Sequence, residues 1–375
     1  MTAPCLHLIA GARPNFMKIA PIVRALRADG RLRWKLVHTG QHYDRNMSDV
    51  FFEELGIPAP DVHFNCGGGS HAAQTARIME AFEQHIAADR PDAVVVVGDV
   101  NSTLACAIVA KKAGIPVAHV EAGLRSGDMA MPEEINRIVT DSISDWYFVT
   151  EPSGVENLRR EGQPEARIHH VGHVMVDNVM YQAQLLAAAD TAGFATDQIK
   201  RELQADRATG GRYGVVTLHR PSNVDDPANL AAIAGALKTI AEELPLVFPV
   251  HPRTRGTLQK AGLDLGPRIR LMDPQPYMSF LHLWKDAALM FTDSGGLQEE
   301  TTALGVPCLT LRENTERPIT IDEGTNHLVG TDPAKIVAAA RAALAAGAAP
   351  GRRPALWDGR AAGRIVDVLA HGLGA

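Results

Sequence analysis

Ala93-Val-Val-Val-Val97 restricts the fold more than any other stretch of this chain. The run is apolar at every position instead of at alternate ones, so a strand here is buried on both faces. A strand covered on both sides needs helices above and below it, which means a parallel sheet in an α/β protein. The flanks agree. Gly98-Asp99 ends the run, Asn101-Ser-Thr103 supply caps for a helix to Ala113, Gly114-Ile-Pro116 stops it, and Pro116–Val120 starts the next strand. The same alternation places strands at Leu6–Ala10, Trp34–His38, Trp146–Thr150 and Arg167–Val171, a first unit of about six. An alanine-rich helical stretch from Gly172 to Gly210 connects it to a second series. That series has strands at Tyr213–Leu218, Leu246–Val250, Ile269–Met272, Ala288–Thr292, Pro307–Thr310 and Asn326–Val329. The pattern predicts two doubly wound, Rossmann-like domains facing across a central cleft. The long break around Gly172–Gly211 argues against a single eight-fold βα barrel.

Composition excludes several classes of function. A formal charge of −6 over 375 residues does not suit a general nucleic-acid binder. No run of about 18 apolar residues exists to span a membrane, and the amino terminus lacks the basic and apolar regions of a secretory signal. The cysteines, Cys5, Cys66, Cys106 and Cys308, are far apart with no CxxC and no histidine at metal spacing. Cys106 and Cys308, in apolar surroundings, read as small core residues; the protein reads as reduced and cytoplasmic, with no metal expected.

Open α/β sheets bind ligands just past the carboxyl ends of their strands, so chemistry is sought there. Asp293-Ser-Gly-Gly296 joins an apolar strand to a polar helix start. Ser and Asp are helix-capping types, the glycines let a ligand approach the backbone, and free N–H groups at the positive end of a helix dipole suit a diphosphate. The plainer reading is a tight βα turn. Glu300, further into the helix, suits ribose hydroxyls. Arg13 and Lys18 follow the first strand, Asp99 and Glu121 follow two sequential strands, and His219 and His251 end two strands of the second series. Asp99 has an alternative role as a cap of its own helix. Glu133 and Arg137 are four apart, the spacing of an ordinary surface ion pair. The segment Asn65–Ala72 matches GxGxxA, but a short irregular segment precedes it in place of a buried strand, so it is not read as a dinucleotide site.

Taken together, Gly11-Ala-Arg13-Pro with Lys18, Gly40-Gln41-His42, Gly98-Asp99, His119-Val-Glu121-Ala-Gly-Leu-Arg125, Pro132-Glu133-Glu134-Ile-Asn-Arg137, Thr217-Leu-His219-Arg220, Asp273-Pro-Gln275, Asp293–Glu300 and Thr315-Glu316-Arg317-Pro318 resemble the non-hydrolysing UDP-N-acetylglucosamine 2-epimerases. The resemblance covers almost the whole chain. It implies the GT-B architecture, with an amino-terminal domain over 1–172 rejoined by a tail helix over 360–375, a UDP-binding domain over 173–359, and a homodimer. It implies interconversion of UDP-GlcNAc and UDP-ManNAc without cofactor or metal. By the same resemblance Ser294, Gly295, Gly296 and His219 bind the diphosphate with Arg13 near it, Glu300 holds the ribose, and Gln275 and Phe280 frame the uracil. Lys18, Asp99, Glu121, Glu133, Arg137 and Arg317 then face the reacting sugar. The sequence departs from many bacterial members at Tyr43-Asp44 and Pro221-Ser222, where they carry Arg-Glu. Those positions lie near the family's second, activating UDP-GlcNAc site.

The chemistry explains the acids. The C2 hydrogen of such a sugar has no adjacent carbonyl, so direct removal is too hard. Eliminating UDP across C1–C2 gives a glycal, and adding UDP back with a proton from the other face inverts C2. That route needs a base, an opposed acid and cations for departing UDP. Asp99, Glu121 and Glu133, helped by Lys18 and His219, are the candidates. A GT-B glycosyltransferase, an epimerase of a related UDP-2-acetamido sugar such as a 2,3-diacetamido uronate, a hydrolysing epimerase and a non-catalytic sensor are the rival readings.

Overall fold

The computed structural model describes residues 3–40, 49–347 and 352–375. The motif residues Gln41 and His42, and the departures Tyr43 and Asp44, lie outside them. The chain divides into two compact units, Met1–Asn178 with Ala355–Ala375, and Val179–Pro354.

In the first unit the strands are β1 (Cys5–Ala10), β2 (Arg33–His38), β3 (Val62–His63), β4 (Ala93–Val97), β5 (Val117–Val120), β6 (Trp146–Val149) and β7 (Ile168–His170). They form one seven-stranded sheet in the order β3-β2-β1-β4-β5-β6-β7, and neighbours run parallel. The valine run behaves as its composition requires. Val94, Val95 and Val96 are fully buried at the centre of the sheet. Ile78, Phe82 and Ile86 of the helix His71–Ala88 close one face against Ile9, Val94 and Val96. Burying each such side chain stabilises the unit by roughly 1.5–3 kcal/mol. The two-residue β3 was not foreseen. Pro58 and Pro60 mask the segment before it, and it pairs only through Val37 with Val62 and His38 with His63.

The second unit repeats the plan with β8 (Gly214–Thr217), β9 (Leu246–Pro249), β10 (Ile269–Met272), β11 (Leu289–Thr292), β12 (Cys308–Thr310) and β13 (Asn326–Leu328). The order is β10-β9-β8-β11-β12-β13. Both sheets therefore reverse direction once, between β1 and β4 and between β8 and β11. A doubly wound sheet opens its binding crevice at that switch point.

The terminal helix Ala361–Gly372 packs on the helix Arg13–Asp29 and belongs to the first unit. The Asp177 carboxylate accepts from the Ala361 and Ala362 amides at 3.2 and 2.7 Å, capping that helix from outside. Buried Trp357 donates its indole N–H to the Thr150 carbonyl at 3.2 Å. Arg24 donates to Asn178 at 3.1 Å. These contacts carry the first turn of the helix Val174–Ala188 with the first unit, so the division falls after Asn178 instead of at Gly172. No helix among the described residues is long and apolar enough to cross a membrane.

Candidate active site

At the first switch point, β1 ends in Gly11-Ala12 and the helix Arg13–Asp29 begins. Asn15 holds the turn: its Oδ1 accepts from the Gly11 and Ala12 amides at 3.1 and 2.9 Å, and its Nδ2 donates to the Val97 carbonyl at 3.2 Å. One side chain thus ties the end of β1 to the end of β4. Arg13, the first helical residue, lays its guanidinium 5.0 Å from the centre of the Phe51 ring. Lys18, one turn on, forms an ion pair with Glu121, which is buried at the end of β5. Glu121 has φ of 69°, a left-handed conformation that a side-chain-bearing residue adopts at a cost of about 1–2 kcal/mol. Gly98 lies beneath this pair with φ of 65°. A Cβ there would stand 3.0 Å from the Lys18 ammonium and 3.5 Å from a Glu121 oxygen.

Asp99 does not cap its helix. The helix Asn101–Lys112 has Val100 at its N-cap and no side-chain cap, and the foreseen caps turn elsewhere. Thr103 donates to the Val97 carbonyl at 2.9 Å, and Ser102 bonds Thr39 at 2.7 Å. Asp99 instead accepts from Arg137 Nη1 at 2.5 Å, with its side chain still 31% exposed. Arg137 also donates through Nε and Nη2 to Glu134 at 3.0 and 2.7 Å. Glu134 accepts in addition from the Ser126 and Gly127 amides, both at 2.9 Å at their nearest. Burial alone would raise the Glu134 pKa, but those amides and Arg137 more than offset it and hold the carboxyl below its usual range. The pairing foreseen between Glu133 and Arg137 is therefore not the one formed. Glu134, at i,i+3, takes the arginine because it also satisfies the loop amides, and Glu133 is exposed at the helix start.

A buried triad backs these groups. Asp141 accepts from His119 Nδ1 at 2.6 Å and from the Gly123 amide at 3.0 Å, and pairs with Arg125 at 2.7 Å. His119 Nε2 faces the Gly98 carbonyl at 2.8 Å. Both ring nitrogens thus lie within hydrogen-bond distance of an oxygen. Burial would raise the Asp141 pKa, but His119 and Arg125 pull it down further, so it is held low. The triad links the turns that carry Asp99 and Glu121. Sequence reasoning passed over Glu134 and Asp141. The signal was there: 134, 137 and 141 fall on one face of an α-helix, and charges repeating on a face that should be apolar mark a buried network.

At the second switch point Asp293 is fully buried, yet it does not cap the helix Gly295–Leu304. Its carboxylate accepts from the His219 and Arg220 amides at 3.0 and 2.9 Å, from Asn223 at 3.2 Å and from His219 Nδ1 at 2.8 Å. Burial opposes the charge, but His219 and the two amides outweigh it and depress the Asp293 pKa. His219 is thereby held by one nitrogen with its side chain 53% exposed. Ser294 stands at the N-cap, and no side chain caps that helix. Its first-turn amides have no intrahelical acceptor. A Cβ on Gly296 would meet nothing within 4 Å, and one on Gly295 would meet only Glu316, at 3.8 Å. Packing therefore does not demand these glycines, and their lack of side chains leaves the backbone amides of the helix start open.

Glu300, buried on that helix, accepts from the Tyr277 hydroxyl at 3.3 Å. Burial raises its pKa to about 8; the Tyr277 bond opposes this and Glu299 adds to it. Gln275 folds back to donate to the Asp273 carbonyl at 2.8 Å, and half-buried Phe280 follows on the helix Tyr277–Trp284. Arg317 forms an ion pair with Glu299. Within the first unit the fold thus gathers Arg13, Lys18, Asp99, Glu121 and Arg137 at one sheet edge. Within the second it gathers His219 with Ser294, Gly295 and Gly296, and Glu300 with Tyr277.

A sequence model of a family described as UDP-N-acetylglucosamine 2-epimerase matches residues 24–370. A UDP-N-acetylglucosamine 2-epimerase from Methanocaldococcus jannaschii is 39% identical over 378 residues, covering 98% of this chain and 99% of that protein. A UDP-2,3-diacetamido-2,3-dideoxy-D-glucuronate 2-epimerase from Pseudomonas aeruginosa is 42% identical over 339 residues, covering 90% and 91%. The crystal structure of the M. jannaschii enzyme with UDP-GlcNAc and UDP has a TM-score of 0.81 at 39% identity, covering 98% of this chain and 100% of that one. Two parallel doubly wound units with a returning tail are the GT-B-like arrangement these relatives share. Alike from end to end in sequence and fold, the chain belongs to the UDP-N-acetylglucosamine 2-epimerase family and is an isomerase.

Proposed function

We propose that this isomerase interconverts UDP-GlcNAc and UDP-ManNAc by eliminating UDP across C1–C2 and adding it back. The observation that carries the reading is the pairing at the end of β4 and β5: Asp99 with Arg137 and Glu121 with Lys18, each acid beside a cation. In the forward step one carboxylate takes the C2 proton, the C1–O bond breaks with its electron pair leaving on UDP, and the C1–C2 double bond forms. In the return step a carboxylate on the other side delivers a proton to C2 and the UDP oxygen attacks C1. Glu133, exposed at its helix start, is the third acid/base candidate. Arg137 and Arg317 attend the sugar. The uncapped helix start at Ser294-Gly295-Gly296, with His219 and Arg13, stabilises departing UDP, while Glu300, Gln275 and Phe280 hold the nucleoside. The reading assigns the working form as a homodimer.

The test is an NMR time course with UDP-GlcNAc in D₂O and no acceptor. Deuterium at C2, together with UDP-ManNAc and without free sugar, is the expected result. Release of free ManNAc and UDP would replace this reading with a hydrolysing one. The 42% identity to the diacetamido-glucuronate epimerase favours a second reading, in which the exchanging sugar is a UDP-2-acetamido uronate. Exchange on that nucleotide and not on UDP-GlcNAc would select it.

A further inference from the structure

Away from the strand ends, two histidines converge on one carboxylate. His7 of β1 is fully buried, and neither of its ring nitrogens has a hydrogen-bond partner; nor has His85 Nε2. Buried polar groups are normally paired. The two rings stack with centroids 4.9 Å apart, and both present Nε2 to one carboxylate oxygen of Asp89. That oxygen is 3.3 Å from His7 and 3.8 Å from His85. All three ligand atoms lie within 4.8 Å of one another, the one such group among the described residues. A divalent ion bound at about 2.0–2.2 Å to nitrogen and oxygen in a tetrahedral site sets its ligand atoms roughly 3.3 Å apart. One edge of the triangle already has that length; the edge from Asp89 to His85, at 3.8 Å, is longer, and the His85 ring moves in to close the set.

We propose that His7, His85 and Asp89 form a binding site for a divalent transition metal of the zinc type, with a water completing the coordination on the side where Asp89 is exposed. The donor set is two imidazoles and a carboxylate, which suits such ions and not calcium or magnesium. Lys35 shares the same Asp89 oxygen at 2.7 Å; its side chain is 42% exposed and swings into water when the ion enters. His85 and Asp89 are one turn apart at the end of the helix His71–Ala88, and His7 pairs in register with Lys35 inside the sheet. The ion would clamp that helix to β1 well before the strand end that carries Arg13, so its role is structural. In the sequence the site is a His-x-x-x-Asp step, His85 and Asp89, facing a strand histidine, with no paired cysteines to mark it.

The test uses the full-length protein stripped with EDTA and titrated with Co²⁺, then with Zn²⁺. One equivalent of Co²⁺ should give visible d–d bands, and Zn²⁺ should raise Tm by several degrees, of the order expected for saturating a ligand that binds only the folded state. His85→Ala and Asp89→Asn should each lose both signals while retaining C2 exchange, as should the stripped protein. Absence of bands and of a Tm shift in the unaltered protein overturns the assignment. So do bands that persist in both variants, which would place the ion elsewhere. Loss of exchange on stripping would overturn the structural role.

Discussion

Replacing Glu300 by Gln should change how stability depends on pH, in a direction that follows from its surroundings. Glu300 is buried, and burial raises its pKa to about 8 in the folded chain. The unfolded chain leaves it near the ordinary glutamate value of 4.5. A folded pKa above the unfolded one means that the native state binds the proton more tightly. The stabilisation is complete below about pH 4.5 and is lost as pH rises through 8. Across that window the slope is about 1.4 kcal/mol per pH unit, so the total is roughly 4–5 kcal/mol. Gln is neutral throughout and does not lose it. Glu300→Gln should therefore match the parent protein near pH 5 and exceed it by a margin that grows towards pH 9. At about 2–4 °C per kcal/mol for a unit of this size, the margin reaches on the order of 10 °C. Thermal melts across the pH range, read by circular dichroism, measure it. The same ionisation couples to ligand. Ribose hydroxyls that donate to Glu300 favour the carboxylate, so UDP binding at pH 7 should eject a fraction of a proton, at most about 0.9 for a group of pKa near 8. Calorimetry in two buffers of different ionisation enthalpy reads that number. A Tm difference that stays flat with pH, or UDP binding without proton release, would refute the placement of Glu300 as a buried, ribose-facing acid.

Two further substitutions test the first unit. Gly98→Ala places a methyl 3.0 Å from the Lys18 ammonium at a φ of 65°; kcat for C2 exchange should fall about tenfold or more, with a stability loss of only about 1–2 kcal/mol by urea melting. Glu134→Gln removes the more buried of the two acids on Arg137, leaving only the partly exposed Asp99 as its counter-charge, and should cost about 1–3 kcal/mol at pH 7. Because the Glu134 pKa is depressed, that contribution is present above about 4.5 and fades as pH falls, so the two melting temperatures should converge in acid.

The fold was readable because its signals are local. Runs such as Val94–Val97 and Leu289–Phe291 are buried on both faces and bounded by glycine, proline and capping residues, and all six strands foreseen in the second unit form. Where the local signal fails, so does the reading. The two-residue β3 exists only through its pairing with β2, and a pairing partner is invisible in a segment read alone. The unit boundary moved for a similar reason. Asp177 and Asn178 look like ordinary polar residues of a long helix, and only the tail helix and Arg24, distant in sequence, show which side they serve.

The candidate site shows the same division at finer grain. Which residues gather at the strand ends follows from topology, since a doubly wound sheet delivers whatever follows β1, β4, β8 and β11 to its switch points. Which charge meets which does not follow, because several pairings satisfy the same spacing. Arg137 had Glu133 at i,i+4 and Glu134 at i,i+3, both within reach on one helix. The structure chooses Glu134 because the Ser126 and Gly127 amides also find their acceptor there, and one carboxylate satisfies loop and arginine together. That choice leaves Arg137 with a second face directed at Asp99. Asp293 follows the same logic. It has the residue type and position of a helix cap, but the backbone of His219 and Arg220 would be left unpaired without it. Both departures from the simplest local reading thus have one cause: a buried carboxylate goes where the most unpaired donors converge, and each of these two, in going there, holds a cationic or titratable side chain in place beside the chemistry.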